Sequence, residues 1–150
     1  MESQKFTYPY PRPMVTVDTV LFSGTGPSLK ILLIQRKQNP FAGRWALPGG
    51  FVDMDETLET AVARELEEET GLRGIALRQL HTFGDPGRDP RGRTISVVYW
   101  GHVRETSAVA GADDAADARW WPVSDLPELA FDHAVIIEHA LGEWKRADGT

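Results

Sequence analysis

Short runs of apolar residues, separated by turn-forming residues, dominate the hydrophobic pattern of the chain. Runs of this kind, rich in β-branched and aromatic residues, are typical of strands. The first two runs flank SGTGPS (residues 23–28), whose glycines and proline favour a turn, so they predict a hairpin. A segment marked by glycine and proline follows at 39–50. Strands are predicted at residues 14–22, 29–36, 75–83, 94–103 and 118–122.

Two further segments carry apolar residues at helical spacing. Residues 57–70 predict a helix that ends at Gly71 and begins at an N-cap, either Asp55 or Thr57. Residues 132–146 predict a second, amphipathic helix. Because strands and helices do not alternate regularly, their order predicts an α+β sandwich. We expect an irregular arm at 1–13, a single domain at 14–146 and a short tail at 147–150.

The helix predicted at 57–70 carries acidic residues on the face that should be buried. With about 100° of rotation per residue, its apolar side chains define one arc: Leu58, Ala61, Val62 and Leu66. Glu65 and Glu69 fall in the middle of that arc, and Glu68 lies at its edge. The remaining glutamates of the region point away from the arc, as solvent-exposed acids do: Glu56, Glu59 and Glu67.

Inward-facing carboxylates need a partner, because burying an unpaired charge is strongly unfavourable. Between residues 53 and 69 there are eight acids and one base, Arg64, which the same helical wheel turns away from Glu65 and Glu69. A divalent cation would neutralise several carboxylates at once, and Mg²⁺ suits such hard oxygen ligands. The alternative is a solvated, glutamate-rich helix face. The inward placement of Glu65 and Glu69 favours the metal site.

Composition excludes several other classes of protein. The chain has 150 residues and no cysteine, which excludes a disulfide scaffold, a cysteine-ligated metal and a thiol nucleophile. Its net charge of −6 argues against a partner that is a nucleic-acid polymer. Its longest apolar runs are about four residues, whereas a membrane span needs about 20. The polar, proline-broken first residues do not resemble a secretory signal, so we expect a cytoplasmic protein.

The acidic helix lies within a longer motif. Gly50, five residues, Glu56, seven residues and then RELEEETGL (residues 64–72) resemble the Nudix box, G-x5-E-x7-R-E-U-x-E-E-x-G-U, where U is bulky and aliphatic. The preceding WALPG (residues 45–49) is similar to the usual lead-in of that family. The resemblance implies the Nudix fold, an α/β/α sandwich with a mixed β-sheet. It also implies hydrolysis of a nucleoside diphosphate linked to another moiety.

The same resemblance implies roles for individual residues. It implies a bound Mg²⁺ or Mn²⁺ with four ligands, namely Glu65, Glu68, Glu69 and the carbonyl of Gly49. Gly50, Glu56 and Arg64 are implied to support the structure of the box, and Glu56 and Arg64 resemble the pair that steadies its loop and helix. The general base is either Glu65 or an acid of a later loop. Asp113 and Asp114 are the loop candidates, and Asp114, six residues before Trp120, resembles a family loop ligand.

Three segments resemble the ADP-ribose pyrophosphatase-like branch of the family: residues 10–18, 83–99 and 129–137. The resemblance therefore implies cleavage of ADP-ribose to AMP and ribose 5-phosphate. Guanidinium groups bind phosphate oxygens as a fork. The candidate substrate-binding residues are Arg36, Arg44, Arg88 and Arg91, with Phe83 as a ring that stacks on adenine. Each of these residues can also be read as an ordinary surface arginine or a core phenylalanine.

Other functions stay open at this point. Within the enzyme class they are hydrolysis of NADH, of nucleotide sugars or of oxidised nucleoside triphosphates. A non-catalytic module that senses ADP-ribose is the alternative from another class, but the intact box and the short stretch after the last predicted helix favour an enzyme. The expected partner is a small nucleotide, and by resemblance we also expect a homodimer in which the arm at 1–13 pairs with a second subunit.

Overall fold

The computed structural model describes residues 5–106 and 115–148 of the chain. A short 3-10 turn at Gly26–Ser28 joins the first two strands. Neither of the helices in the described ranges is long and apolar enough to cross a membrane. The elements follow in the order β1 Met14–Ser23, β2 Lys30–Arg36, β3 Trp45–Ala46, β4 Gly49–Phe51, α1 Leu58–Thr70, β5 Arg78–Phe83, β6 Thr94–Val103, β7 Ala115–Pro122 and α2 His133–Asp148.

The described strands form one seven-stranded mixed sheet in which β1 is central. β1 pairs in parallel with β6 along its whole length, from Met14 opposite Thr94 to Ser23 opposite Val103. The other pairs are antiparallel, and they include β5 on β6 and β7 on β2. The main path through the sheet runs β3-β2-β1-β6-β5. This mixed sheet confirms the predicted α+β class.

β1 and β2 form the predicted hairpin, but they pair only beside the turn, where Phe22 lies opposite Ile31. Further from the turn the two strands separate, and residues 45–51 lie between them. β3 pairs with β2 and β4 pairs with β1, both antiparallel. Between these strands, the amide of Thr19 donates to the carbonyl of Pro48 at 2.8 Å. Backbone hydrogen bonds on both sides therefore fix the segment that precedes the acidic helix.

One helix covers each face of the sheet, so the layers are α/β/α. Side chains of β1 alternate between the two layers, as strand geometry requires. Val20 and Phe22 belong to the apolar cluster under α2, whereas Val17 and Leu21 belong to the clusters under α1. All four side chains are fully buried. Burial on both faces explains why apolar residues occupy both the odd and the even positions of β1.

Several predicted boundaries differ from the structure. β5 begins at residue 78 rather than 75, β7 begins at 115 rather than 118, and α2 runs over 133–148 rather than 132–146. The segment at 39–50, which is marked by glycine and proline and for which no strand is predicted, contains β3 and the start of β4. These strands have two and three residues, which is too short to produce a periodic pattern. They form because the separated edges of β1 and β2 offer them hydrogen-bonding partners.

The ends of α1 are defined by capping groups. Thr57 is the N-cap, and its hydroxyl oxygen accepts a hydrogen bond from the amide of Thr60 at 3.1 Å. Asp55, the other candidate, lies outside the helix. At the C-terminal end Gly71 adopts a left-handed conformation with φ of 82°, and its amide bonds the carbonyl of Glu67. The predicted closing glycine is therefore confirmed, and the sequence ambiguity at the N-terminus is resolved in favour of Thr57.

Replacing the N-cap tests this assignment. Thr57→Ala should lower the free energy of unfolding by about 1 kcal/mol, because the amide of Thr60 loses its acceptor. Thr57→Ser keeps the hydroxyl and should stay near wild type. Asp55→Ala is the matched control and should change stability by less than about 0.5 kcal/mol. Urea denaturation measures all three variants, and an equal loss in Asp55→Ala would contradict the cap assignment.

Candidate active site

A cavity of about 530 Å³ lies beside β1, β4 and the acidic face of α1. The loop at 84–93 and the start of α2 complete its walls. Acidic and basic side chains line the same space. The acids are Asp18, Asp53, Glu65, Glu68, Glu69 and Asp89, and the bases are Arg36, Lys37, Arg64, Arg88 and Arg91. A cavity with this double lining can hold a cation and a polyanion together.

Two glycines allow the backbone to reach the acidic residues. A Cβ atom on Gly50 would lie 2.5 Å from the carboxyl carbon of Glu65, and one on Gly49 would collide with the Asp18 side chain and the Val17 carbonyl. Real Cβ atoms do not make such contacts, so no other residue fits at either position without displacing its neighbours. The glycines are required by close approach, and the backbone at 49–50 lies directly against the carboxylates.

The three box glutamates of α1 differ in their surroundings. Glu69 is buried, at 7% exposure, and accepts a hydrogen bond from the amide of Gly49 at 2.7 Å. The Glu65 side chain is 14% exposed, and burial raises its pKa above the ordinary value, although Arg64 acts in the opposite direction. The Glu68 side chain, 42% exposed, lies at the rim. The inward positions of Glu65 and Glu69 agree with the helical wheel.

Arg64 binds more carboxylates than the sequence predicts. Its Nε and Nη2 atoms donate to Glu56, and its Nη1 donates to Glu65 at 2.9 Å and to Glu68 at 3.3 Å. Nη2 also donates to the carbonyl of Phe51 at 3.2 Å. The helical wheel predicts that Arg64 points away from the inward-facing glutamates. The structure differs because the arginine side chain is long enough to bring its guanidinium to Glu65 and Glu68. One cation thus ties the loop to the helix.

Glu56, which the helical wheel placed among the solvent-exposed acids, also differs from its prediction. It precedes the N-cap and does not lie on the helix, and its side chain is only 10% exposed. The hydrogen bonds from Arg64, together with one from the amide of Asp53, lower the pKa of Glu56 to about 2. The pKa of Arg64 is raised, chiefly by its hydrogen bond to Glu56. This pair is fully ionised at neutral pH.

The donor set on α1 fits a hard divalent cation in its chemistry and position. Carboxylates of Glu65, Glu68 and Glu69 lie along one cavity wall, and Gly49 adds its backbone at the same place. Within residues 5–106 and 115–148, however, no group of three acidic or histidine side chains converges on one point. Glu65 and Glu68 turn toward Arg64 instead. Without a cation, the guanidinium compensates these carboxylates.

Three of the four arginines predicted to bind substrate line the cavity. Arg36 lines the cavity, where its Nε donates to the carbonyl of Pro40 at 2.8 Å. Arg88 and Arg91 also line it, but each is already held by a carboxylate. Arg88 forms a bidentate pair with Asp132, at 2.7 and 2.9 Å, and its side chain is 5% exposed. Arg91 pairs with Asp89 at 2.8 Å.

Two predicted substrate-binding residues lie outside the cavity lining. Arg44 follows the β2–β3 connection to the surface, where it lies 3.7 Å from Glu128 and over the ring of Phe41. Phe83 packs edge-on against His81 and His139 and joins the apolar cluster under α2. Neither residue lines the cavity, and their role in substrate binding stays a prediction. Sequence proximity to the box or loop does not fix the direction in which a strand-end side chain points.

A family model for the NUDIX domain matches residues 12–140. The chain belongs to the Nudix family. The matched residues contain every described residue of the cavity, so the acidic wall, the basic residues and the aromatic rings all lie within the Nudix domain.

Individual relatives and structures agree with this assignment. The chain is 46% identical over 136 residues to the ADP-ribose pyrophosphatase of Methanocaldococcus jannaschii, covering 91% of this chain and 77% of that protein. It is 36% identical to the ADPR responsive transcriptional repressor NtrR of Acinetobacter baylyi over 87% of this chain, but spans only 54% of the repressor. The NUDIX domain of Shewanella oneidensis NrtR complexed with ADP ribose matches with a TM-score of 0.84 and 39% identity, covering 92% and 94% of the two chains.

A buried polar network that the sequence did not predict lies under the segment at 45–51. His133 is only 4% exposed. Its Nδ1 atom accepts a hydrogen bond from the backbone amide of Leu47 at 3.0 Å, and its Nε2 atom lies 4.0 Å from the carboxylate of Asp18. Asp18 in turn accepts a hydrogen bond from the Ser96 hydroxyl. An acid within the apolar strand β1 was the available signal. Asp113 and Asp114, the alternative general bases, lie outside the described residues.

The buried histidine gives the domain a predictable response to pH. Burial lowers the pKa of His133 below its ordinary value of 6.5, an effect that Asp18 and Asp132 oppose and that Arg88 and Arg36 reinforce. The native histidine therefore stays neutral while the unfolded chain takes up a proton, so stability falls as pH drops below about 6.5 and is complete above it.

Urea denaturation at several pH values measures this effect. Between pH 7 and pH 5.5, His133 should account for a loss of up to about 1 kcal/mol in the free energy of unfolding. His133→Gln keeps an acceptor for Leu47 and should lack that part of the loss, whatever its absolute stability. An identical pH dependence in the two proteins would contradict a neutral buried imidazole, as would an NMR titration in which the His133 ring protonates at or above pH 6.5.

The Arg88–Asp132 pair joins the loop at 84–93 to α2, and its energetics can be measured. Asp132→Asn leaves a buried guanidinium without its ionised partner and should cost about 3 kcal/mol. The double variant Arg88→Met/Asp132→Asn should be destabilised by less than the sum of the single changes. The exposed pair Arg119–Asp117 provides the control, since Arg119→Met should cost less than about 1 kcal/mol. Additive effects at Arg88 and Asp132 would contradict the coupling.

Proposed function

We propose that this Nudix hydrolase cleaves ADP-ribose to AMP and ribose 5-phosphate in a reaction that depends on a divalent cation. One observation carries the proposal: carboxylates of α1 and the cationic side chains of Arg36 and Lys37 line a single cavity. A pyrophosphate with its metal ions needs both kinds of group within a few ångströms. The similarity to the Methanocaldococcus jannaschii ADP-ribose pyrophosphatase supports this choice of substrate.

The cation, Mg²⁺ or Mn²⁺, would be held by Glu65, Glu68 and Glu69 together with the carbonyl of Gly49. When bound, such an ion neutralises pyrophosphate charge and lowers the pKa of coordinated water. Arg64 supports this arrangement because it is also anchored to Glu56 and to the Phe51 carbonyl, and does not depend on Glu65 and Glu68 for its position. Glu69 fixes the loop through the amide of Gly49.

The remaining steps use side chains of this chain. Arg36 and Lys37 donate to the bridging and terminal oxygens of the pyrophosphate and stabilise the charge that grows there. Hydrolysis adds the oxygen of water to one phosphorus, breaks the P–O–P bond and releases a proton. A general base takes the first proton from water. We propose Glu65 or Asp114 for that role, and a comparison of Glu65→Gln with Asp114→Asn separates them.

The proposed homodimer has a surface that supports it. The arm before β1 carries the exposed aromatic side chains of Phe6 and Tyr10, which are 51% and 72% exposed. Tyr8 folds back, contacts the sulfur of Met54 and lies against Arg12. Exposed aromatic rings on an extended arm are suited to contact with a second subunit.

The alternative function is ADP-ribose sensing without turnover. Two observations favour it. The chain resembles the NUDIX domain of Shewanella oneidensis NrtR complexed with ADP ribose, and it is similar to the ADPR responsive transcriptional repressor NtrR of Acinetobacter baylyi. The two functions differ in turnover, not in the ligand.

Product analysis of the purified protein tests the proposal. Incubation with Mg²⁺ and ADP-ribose should yield AMP and ribose 5-phosphate, whereas NADH, a GDP-sugar and 8-oxo-dGTP should react more slowly. Glu69→Gln should lower kcat at least about 100-fold, since it removes a charge from the reacting centre. Glu67→Gln is the matched control, because that side chain pairs with Arg73 at 2.7 Å outside the cavity lining. Chelation of the cation should abolish turnover, and added Mg²⁺ or Mn²⁺ should restore it.

Each other outcome has a clear meaning. Faster turnover of a different compound would support the hydrolase activity but contradict ADP-ribose as its substrate. Tight binding of ADP-ribose with no turnover of any compound would support the sensing function. Equal activity of Glu69→Gln and Glu67→Gln would overturn the proposed metal site.

A further inference from the structure

An aromatic and cationic stack occupies part of the cavity wall. The guanidinium carbon of Arg91 lies 4.8 Å from the ring centre of Phe51 and 4.9 Å from that of Phe131. Arg36 lies over the Phe131 ring as well, at 4.9 Å. Phe41 packs edge-on against Phe131, with ring centres 4.9 Å apart. The sequence analysis looked for a base-stacking ring at Phe83, which lies outside this wall.

Arg91 is held in a way that suits stacking better than phosphate binding. Its Nε and Nη2 atoms form a fork on the carboxylate of Asp89, whose side chain is only 3% exposed. The backbone amide of Arg91 donates to the same carboxylate at 2.9 Å. The Nε/Nη2 edge of the guanidinium is therefore engaged, and its charge is paired. Its flat face lies against the rings of Phe51 and Phe131.

Phe51 and Phe131 each have a property that is common at binding sites. Phe51 lines the cavity and yet remains 41% exposed. Phe131 has a left-handed backbone, with φ of 52°, although it is not glycine. Such a conformation is unfavourable and persists only where surrounding contacts impose it. Here the contacts with Phe41, Arg36 and Arg91 hold the ring in the cavity wall.

We infer that Phe51, Arg91 and Phe131 form the platform on which the aromatic base of the nucleotide stacks, with Phe51 as its exposed face. The inference rests on the proposed function and identifies which half of the substrate lies on this wall. Phe51 is two residues from Gly49, a separation of at most about 7 Å along an extended backbone. One nucleoside monophosphate can span from the metal-binding loop to the ring. Stacking on a π face recognises any planar base, so the platform selects nucleotides over base-free phosphosugars.

The two products of ADP-ribose cleavage provide a matched pair of probes, because AMP carries the base and ribose 5-phosphate does not. Phe51→Leu should weaken AMP binding about 5- to 150-fold, the range that stacking on one aromatic ring contributes. Binding of ribose 5-phosphate should stay within about twofold. With ADP-ribose as substrate, KM should rise while kcat changes little, since the base takes no part in bond breaking.

Two further variants serve as controls. Phe51→Tyr keeps the ring and should restore AMP affinity to within about threefold of wild type. Phe6→Leu removes another exposed phenylalanine, on the arm, and should leave both ligands unaffected. Calorimetry measures binding without turnover, and thermal unfolding checks that Phe51→Leu folds as the wild type does.

The outcomes separate this inference from the proposed function. Unchanged AMP binding in Phe51→Leu, or an equal loss of ribose 5-phosphate binding, would overturn the platform while wild-type hydrolysis of ADP-ribose still stood. A wild-type protein that binds AMP through Phe51 but hydrolyses nothing would keep the platform and remove the hydrolase. A wild-type protein that neither binds AMP nor turns over ADP-ribose would overturn both.

Discussion

The close approach of residues 49–50 to β1 and α1 is the constraint on which the site depends. A side chain at Gly49 would collide with the backbone of Val17 and Asp18, and one at Gly50 would displace the carboxylate of Glu65. The backbone at 49–50 is held because β1 and β2 separate beyond their turn and accept β4 and β3 between them. The architecture of the sheet thus brings a polar backbone segment against a row of carboxylates, which neither element could assemble alone.

Charge in this region is balanced locally. One guanidinium, that of Arg64, contacts three glutamates and a backbone carbonyl. Its firm anchor is Glu56, whose strongly lowered pKa reflects that pair. Its contacts with Glu65 and Glu68 come from the other side of the same group. The protein therefore folds with its acidic wall compensated, and the carboxylates that a cation would bind are not left as unpaired buried charges, which would be far more costly.

Much of this arrangement could be predicted from the sequence, and the failures have physical causes. Helical periodicity correctly located Glu65 and Glu69 on the inner face, because that argument needs only the backbone geometry of α1. It failed for Glu56, which precedes the helix, and for Arg64, whose side chain is long enough to leave its own sector. Substrate-facing residues were harder. Arg44 and Phe83 lie in or beside segments that border the cavity but do not line it, and their role stays a prediction. Phe51 lines the cavity on the short strand β4, which pairs with β1, and Phe131 lines it with a left-handed backbone. No local sequence pattern reveals either feature.

The Arg88–Asp132 and Arg91–Asp89 pairs have a consequence for how a ligand enters this cavity. Together they fasten the loop at 84–93 to itself and to α2. A loop rich in glycine and proline is thereby ordered before anything binds, so little conformational entropy remains to be lost on association.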